Sequence, residues 1–213
     1  MSQTPLPAAT DLPPVVTIFE SYGAGASRVG HRVAGALGLP LHRQAFSSAA
    51  IEGDAAGVHA EEAHFLHRML AVLAATFGPE RATVDPVIAQ YRQELVAENR
   101  RQVAAAASAG GVILGRNAAL LLADRPRTLH VLLTGDPQAC IERAMADDGI
   151  TREHAERRQA HEEHIRADMA IALHGWDPRD RAHYDLVANT SRVPLDPLAD
   201  AIVASVRAAA PHR

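Results

Sequence analysis

Lysine is absent from this 213-residue chain, and all 21 of its basic residues are arginine. That excludes Schiff-base chemistry and the lysine that reaches the phosphates in phosphate-binding loops. A GC-rich coding bias, also visible in the abundant alanine, is the ordinary cause of such a composition. Cysteine occurs once, at Cys140, so an intrachain disulfide and a multi-cysteine zinc site are excluded, and a buried helix position is expected for it. Aromatic residues make up only 4%, against 47% hydrophobic residues, so the core must be built from Ala, Leu, Val and Ile. The net charge of −4 argues against a general nucleic-acid footprint, although local arginine clusters can still meet a small anion. No run approaches a membrane span, and the N-terminus has neither a basic start nor a signal-length apolar stretch. The expectation is a cytoplasmic protein of one domain, with room for an inserted lobe.

The chain is organised around Val15 to Gly38. Val15-Val16-Thr17-Ile18-Phe19 reads as a strand buried on both faces. Glu20-Ser21-Tyr22-Gly23-Ala24-Gly25-Ala26-Ser27 follows. Val29, Val33, Ala34 and Leu37 then recur at helical spacing, and Gly38 stands where a helix C-terminus favours glycine. Strand, glycine turn and helix present backbone N–H groups to a phosphate. Against G-x-x-x-x-G-K-[ST], aligned on Gly25 and Ser27, Glu20 occupies the first glycine position and Ala26 the lysine position. Arg28 and Arg32 are the nearest cations. Ser27 reads equally as a helix cap or as a hydroxyl for a metal ion, and a ligand-free glycine turn is the alternative for the whole stretch.

Residues 1–14 read as a loose tail. Leu39 to His42 suggests a short second strand. From Ser47 to about Ser108 strand patterning is lacking. One helix is suggested by Ala63, Leu66, Met69, Leu70 and Leu73, and another by Val87, Tyr91, Leu95 and Val96. Val112-Ile113-Leu114, Leu129 to Leu133, and Tyr184 to Ala188 read as further strands. A short helix runs through Leu120 to Leu122. Asp136-Pro137 opens a helix with an acidic cap and a first-turn proline. Thr151 to about Leu173 is polar, helical and dense in Arg, Glu and His. Asp196-Pro197 starts a last helix with Leu198, Ile202, Val203 and Val206 on one face. Strands alternating with helices predict an α/β fold: a parallel sheet of about five strands with helices on both faces. Ligands bind such sheets at the carboxyl edge, which collects Gly23–Ser27, Arg116, Gly135-Asp136 and Asn189-Thr190.

The ordered set of these segments resembles the cytidylate kinase-like proteins, nucleoside monophosphate kinases of the phosphate-loop superfamily. The resemblance rests on Ile18–Leu37 with Tyr22-Gly23-Ala24-Gly25, Val112–Arg116, Arg143, Ala155–Arg166 and Tyr184–Ser191, and it spans about Val15 to Val206. It implies one kinase domain over 15–213, with an acceptor lobe at 47–109 and an arginine-rich lid at 150–175. It also implies transfer of the ATP γ-phosphoryl group, with Mg²⁺, to a nucleoside monophosphate such as CMP or dCMP. On that reading the backbone from Gly23 through Ala24, Gly25, Ala26 and Ser27 cradles donor phosphates, Ser27 meets Mg²⁺, and Arg28 stands in for the lysine. Arg116 grips the acceptor phosphate, and Arg152, Arg158 and Arg166 are the lid cations, with Arg157 pointing elsewhere. Arg143, Asn189 and Thr190 border the donor base.

Each of these positions also has a structural reading: a surface salt bridge for Arg116, a solvated i,i+4-paired helix for the lid, a helix-surface position for Arg143, and a turn for Asn189-Thr190. The pattern the resembled family often carries, Gly-Gly-Arg-Glu, stands here as Gly25-Ala26-Ser27-Arg28, its acidic residue in the second strand is replaced near His42-Arg43, and Cys140 takes the place of an arginine. Two rival readings follow: a nucleotide-binding regulatory protein without turnover, and a kinase for another small acceptor. A metal enzyme is a further alternative, from His161-Glu162-Glu163-His164 and from His59, His64 and His67 beside Glu61 and Glu62. Neither cluster has a complete ligand set.

Overall fold

The strand β1 (Val15–Glu20) runs through the middle of a five-stranded sheet ordered β2-β3-β1-β4-β5, every pair parallel. The other strands are β2 (Leu41–His42), β3 (Gly111–Leu114), β4 (Thr128–Thr134) and β5 (Leu186–Asn189). The helices are α1 (Ala26–Leu37), α2 (Ala60–Phe77), α3 (Pro86–Ser108), α4 (Ala118–Leu121), α5 (Pro137–Asp148), α6 (Arg152–His174) and α7 (Leu195–Ala208), with a 3-10 turn at Arg181–His183. This computed structural model describes residues 12–43, 60–78 and 85–209. His59, most of the tail at 1–14, and the side chains of Glu61, Glu62, Ala63 and Leu66 lie outside the described residues.

The apolar run of β1 is explained by what covers it. Val16 and Ile18 face α1 and α7 in one core, whereas Val15 faces Val103, Ala106 and Ala107 of α3 in another. Helices therefore cover both faces, as the alternation of elements predicts. Thr17 is polar yet buried, because its hydroxyl meets His130 Nδ1 at 2.8 Å across the β1–β4 pair. The order places the switch point where β1 separates β3 from β4, so the carboxyl ends of these three strands open one crevice.

Several boundaries differ from the sequence reading. β5 begins at Leu186, because Asp185 closes the preceding turn by accepting the His130 N–H on its Oδ2, at 2.8 Å. The last helix begins at Leu195, with Asp196 and Pro197 inside its first turn, where a missing N–H costs nothing. Asp136 caps α5 by accepting from Gln138 and Ala139, as the Asp-Pro pair suggests. Cys140 is buried in α5. The second half of α6 is not solvated: Ala167, Met169, Ala170 and Ala172 are buried, two of them against Met69, Val72 and Leu95 of α2 and α3. Among the described residues no helix is long and apolar enough to cross a membrane.

Leu133 lies fully buried on β4 in the larger core. Leu133→Ala is expected to lower the unfolding free energy by about 3 kcal/mol in urea titration, the cost of lost burial plus a cavity.

Candidate functional site

The loop between β1 and α1 is shaped by close approach. Gly23 (φ 70°) and Gly25 (φ 96°) occupy the left-handed region. A Cβ on Gly23 would lie 2.3 Å from the Cys140 carbonyl oxygen, and one on Gly25 would lie 2.7 Å from Leu195 Cδ1. Only glycine fits either place. Ala24 between them is fully buried and anchors the loop in the core. Gly25 is the N-cap of α1 and provides no side-chain cap, so Ser27 lies inside the first turn, exposed, and the cap reading of Ser27 is displaced.

The Ala26 N–H already has a partner: Glu20 Oε2 accepts it at 2.8 Å. Burial pushes the Glu20 carboxyl above its ordinary value, opposed by the Ala26 and Gly25 amides and by Arg166. Glu163 of α6 accepts the Tyr22 N–H at 3.1 Å, so the long helix holds the loop as well.

The candidate arginines divide by position. Arg166 is paired with Glu162 one turn earlier. It lines a cleft of about 390 Å³ beside Gly23, Gly25 and Ser27, and it also lines a narrower space of about 80 Å³ beside Arg116. Arg158 pairs with Asp148 of α5 at 3.2 Å. Arg152 bonds Gln138 and Glu142 on the outside of α5, and Arg157 pairs with Glu153. Arg28 forms a fork with Asp196 of α7 at 2.8 and 3.3 Å and lines the same cleft as the glycine loop. Arg143 donates to Gly23 O at 2.5 Å and to Thr190 O at 2.9 Å, stapling the loop to the end of β5. Thr190 is buried and donates to Thr134 O, while Asn189 Oδ1 accepts the Ser191 N–H in a turn. Asn189 and Thr190 thus stand at the carboxyl end of the sheet beside Arg143.

Arg116 follows β3 at φ 57°, with Asn117 at φ 55°. Two successive non-glycine residues in this region store backbone strain, which the surroundings must hold. Asn99 of α3 does so, donating to Arg116 O at 2.9 Å and accepting from Asn117 Nδ2 at 3.2 Å. His174, whose pKa burial lowers, keeps a neutral ring beside Asn99 Oδ1 at 3.1 Å. The Arg116 guanidinium bonds Arg43 O at 2.6 Å and Gln102 Oε1 at 2.8 Å. It opens on a space walled by Phe19, Phe65, Met69 and Met169. Sequence reasoning did not single out Asn99, Gln102 or these walls, because their shared surface joins β1 to three helices.

The model of the cytidylate kinase-like family matches residues 15–192. The chain belongs to that family. Its fold resembles that of an uncharacterised protein from Eubacterium ventriosum, at 18% identity over 92% of this chain and 98% of that one, with a TM-score of 0.59. It also resembles shikimate kinase from Acinetobacter baumannii, at 15% identity over 96% and 98% of the two chains, with a TM-score of 0.50. A stretch of 110 residues is 36% identical to uronate isomerase of Corynebacterium glutamicum, covering 52% of this chain and 21% of that protein. The chain therefore spans about a fifth of the length of that curated relative. The family is cytidylate kinase-like, and the fold is one that shikimate kinase shares.

Kinases of this fold use a metal ion as well as a nucleotide. One buried oxygen, Glu162 Oε1, has no partner, although the Glu162 side chain is nearly inaccessible and borders the cleft. With the exposed Ser27 hydroxyl, it is an oxygen donor of the kind Mg²⁺ takes. Among the described residues no group of three or more His, Cys, Asp or Glu forms a metal cluster, so the histidine-based alternative has no support there.

Because the Glu20 pKa is raised on folding, its stabilising contribution is complete below the unfolded value, 4.5, and is lost as pH rises through the folded one. Thermal melts of wild type and Glu20→Gln should therefore diverge in favour of the variant as pH rises from about 4.5 to about 8. A difference independent of pH would contradict the raised pKa.

Proposed function

We propose that the protein transfers the γ-phosphoryl group of ATP, with Mg²⁺, to a nucleoside monophosphate, with CMP and dCMP as the first candidates. The observation that carries this reading is the position of Arg166, which lines both the glycine-loop cleft and the space beside Arg116. A cation at that junction neutralises charge where donor and acceptor phosphates meet, and phosphoryl transfer depends chiefly on positioning and such neutralisation. The loop amides and Ser27 would hold the donor side. Arg116, strained and braced by Asn99, would grip the acceptor phosphate, since the planar guanidinium matches phosphate oxygens in pairs. Phe19, Phe65 and the two methionines would pack against the acceptor ring, with Gln102 and Asn117 offering amide groups to its polar edge. Ser27 and the unpartnered Glu162 oxygen would hold Mg²⁺, which would supply positive charge against the phosphates. The helices α2 and α3 would form the acceptor lobe within 47–109, and α6 the lid within 150–175.

A second reading, nucleotide binding without turnover, is favoured by the carboxylate on the Ala26 amide and by the alanine in the lysine position. An ADP-release assay with ATP, Mg²⁺ and a panel of nucleoside monophosphates separates the two. Acceptor-dependent release supports the kinase, whereas ATP binding with no release under any acceptor supports the binding protein. In an active enzyme, Arg116→Ala should raise the acceptor KM by about 10- to 100-fold, the effect of losing a charge-assisted bond, with little change in ATP affinity. Arg166→Ala should lower kcat by about 100-fold or more, because it removes charge stabilisation at the transfer point.

A further inference from the structure

The geometry points to Glu20 as the residue that sets which anions the loop accepts: its carboxylate is a built-in occupant of the cradle and excludes a phosphate group until it is neutralised. This rests on the reading that the loop faces phosphate. A strand-to-helix loop binds phosphate through backbone N–H groups at the helix N-terminus. Here the Ala26 N–H, in the position where the loop motif has its lysine, is satisfied by Glu20 Oε2 at 2.8 Å. Glu20 itself stands where the motif has its first glycine, a position that normally offers no side chain at all. A carboxylate and a phosphate oxygen compete for the same donor, and two anions in one partly buried cleft repel each other strongly.

A second observation marks the cleft as incomplete. Glu162 is buried and borders it, and its Oε1 has no hydrogen-bond partner although Oε2 is paired with Arg166. Among the described residues, Glu20 and Glu162 therefore stand with Asp147 and Asp148 as four carboxylates lining a cleft that has three arginines, Arg28, Arg43 and Arg166.

The groups around Glu20 decide how it responds to pH. From α6 it meets Arg166, which favours its charged form, and Glu162, which opposes it. From the start of α1 it meets the Ala26 and Gly25 amides. Arg28, Arg43, Asp147 and Asp148 line the same cleft, with Arg28 held by Asp196. Cys140 of α5 lies near enough to feel the Glu20 charge. Desolvation dominates this balance, so the carboxyl takes up a proton more readily than an exposed glutamate does. Protonation removes the competing charge without moving the backbone.

The test reads the loop directly, with neither acceptor nor turnover involved. Full-length ¹⁵N-labelled protein is titrated with inorganic pyrophosphate at about pH 8, following the Gly25, Ala26 and Ser27 amide signals, for wild type, Glu20→Gln and Glu20→Gly. Glu20→Gln removes the charge, and Glu20→Gly removes the occupant as well. Both variants should bind at least about tenfold tighter than wild type, a change of 1.4 kcal/mol. A parallel series with sulfate, whose charge is constant over this range, should show wild-type affinity rising as pH falls toward about 5 and the Gln variant nearly flat. Equal pyrophosphate affinity in all three proteins, binding that leaves the Ala26 amide unmoved, or a variant that still binds no pyrophosphate while its amide spectrum remains folded would each overturn the assignment. Failure of the ADP-release assay would not, because loss of turnover leaves anion binding at this loop to be measured on its own.

Discussion

The backbone of α5 passes so close to the β1–α1 loop that a methyl group on Gly23 would lie 2.3 Å from the Cys140 carbonyl oxygen. The loop takes its shape from that approach. Arg143, one helical turn along from Cys140 within α5, then donates to the Gly23 carbonyl and ties it to Thr190 at the end of β5. Glu163 holds the Tyr22 amide from a third direction, and Ala24 is sunk in the core. The residues of the loop are therefore held by the elements that pack against them. A loop held this firmly presents its amides without the ordering cost a flexible one would meet on binding.

The absence of lysine leaves structure and chemistry to the same side chain, and position separates the two uses. Arg125 secures Pro13 O and Ala107 O, closing the start of β1 against the end of α3. Arg28 and Arg32 pair with Asp196 and Asp200 on the exposed α1–α7 seam, where solvent screens ion pairs to little net stabilisation. Arg166 is different: its partner Glu162 is almost fully buried, and low dielectric makes that pair's charge balance consequential. Arg116 is desolvated enough for its pKa to fall below the ordinary arginine value. These two meet in the space walled by Phe19, Phe65, Met69 and Met169, and Arg166 also lines the glycine-loop cleft with Arg28 and Arg43.

The loop has also changed electrostatic sign relative to the motif it follows. A cation is missing at Ala26 and an anion has appeared at Glu20, within one short connection. Each change alone weakens attraction for a polyphosphate, and together they act on the same amides. The space beside Arg116 shows no such reversal, since Arg116 is bonded there by Asn99 and Gln102, with His174 against Asn99. The two halves of the site thus differ in charge for reasons visible in side chains, while the fold that carries them is common to the family.

The sequence by itself determined the parallel α/β architecture, because buried strands read as unbroken apolar runs and helices as a 3.6-residue period. It also determined the start of α5, where Asp136 and Pro137 satisfy a local capping rule, and the glycine loop, where Gly23 and Gly25 mark the turn. It placed Glu20 in the first glycine position, but the bond to Ala26 depends on how the loop closes. Only the tertiary structure decided which of these arginines lines both spaces, because Arg28, Arg152 and Arg158 carry the same charge as Arg166 and differ in their partners on α5 and α7. It alone decided that the second half of α6 is core, since Ala167, Ala170 and Ala172 are too small to make a clear apolar stripe. It alone joined Gly23 to Arg143 and Tyr22 to Glu163, pairs 120 and 141 residues apart in the chain. Local patterns follow from neighbouring residues, whereas these contacts arise when distant elements are brought to one edge of the sheet.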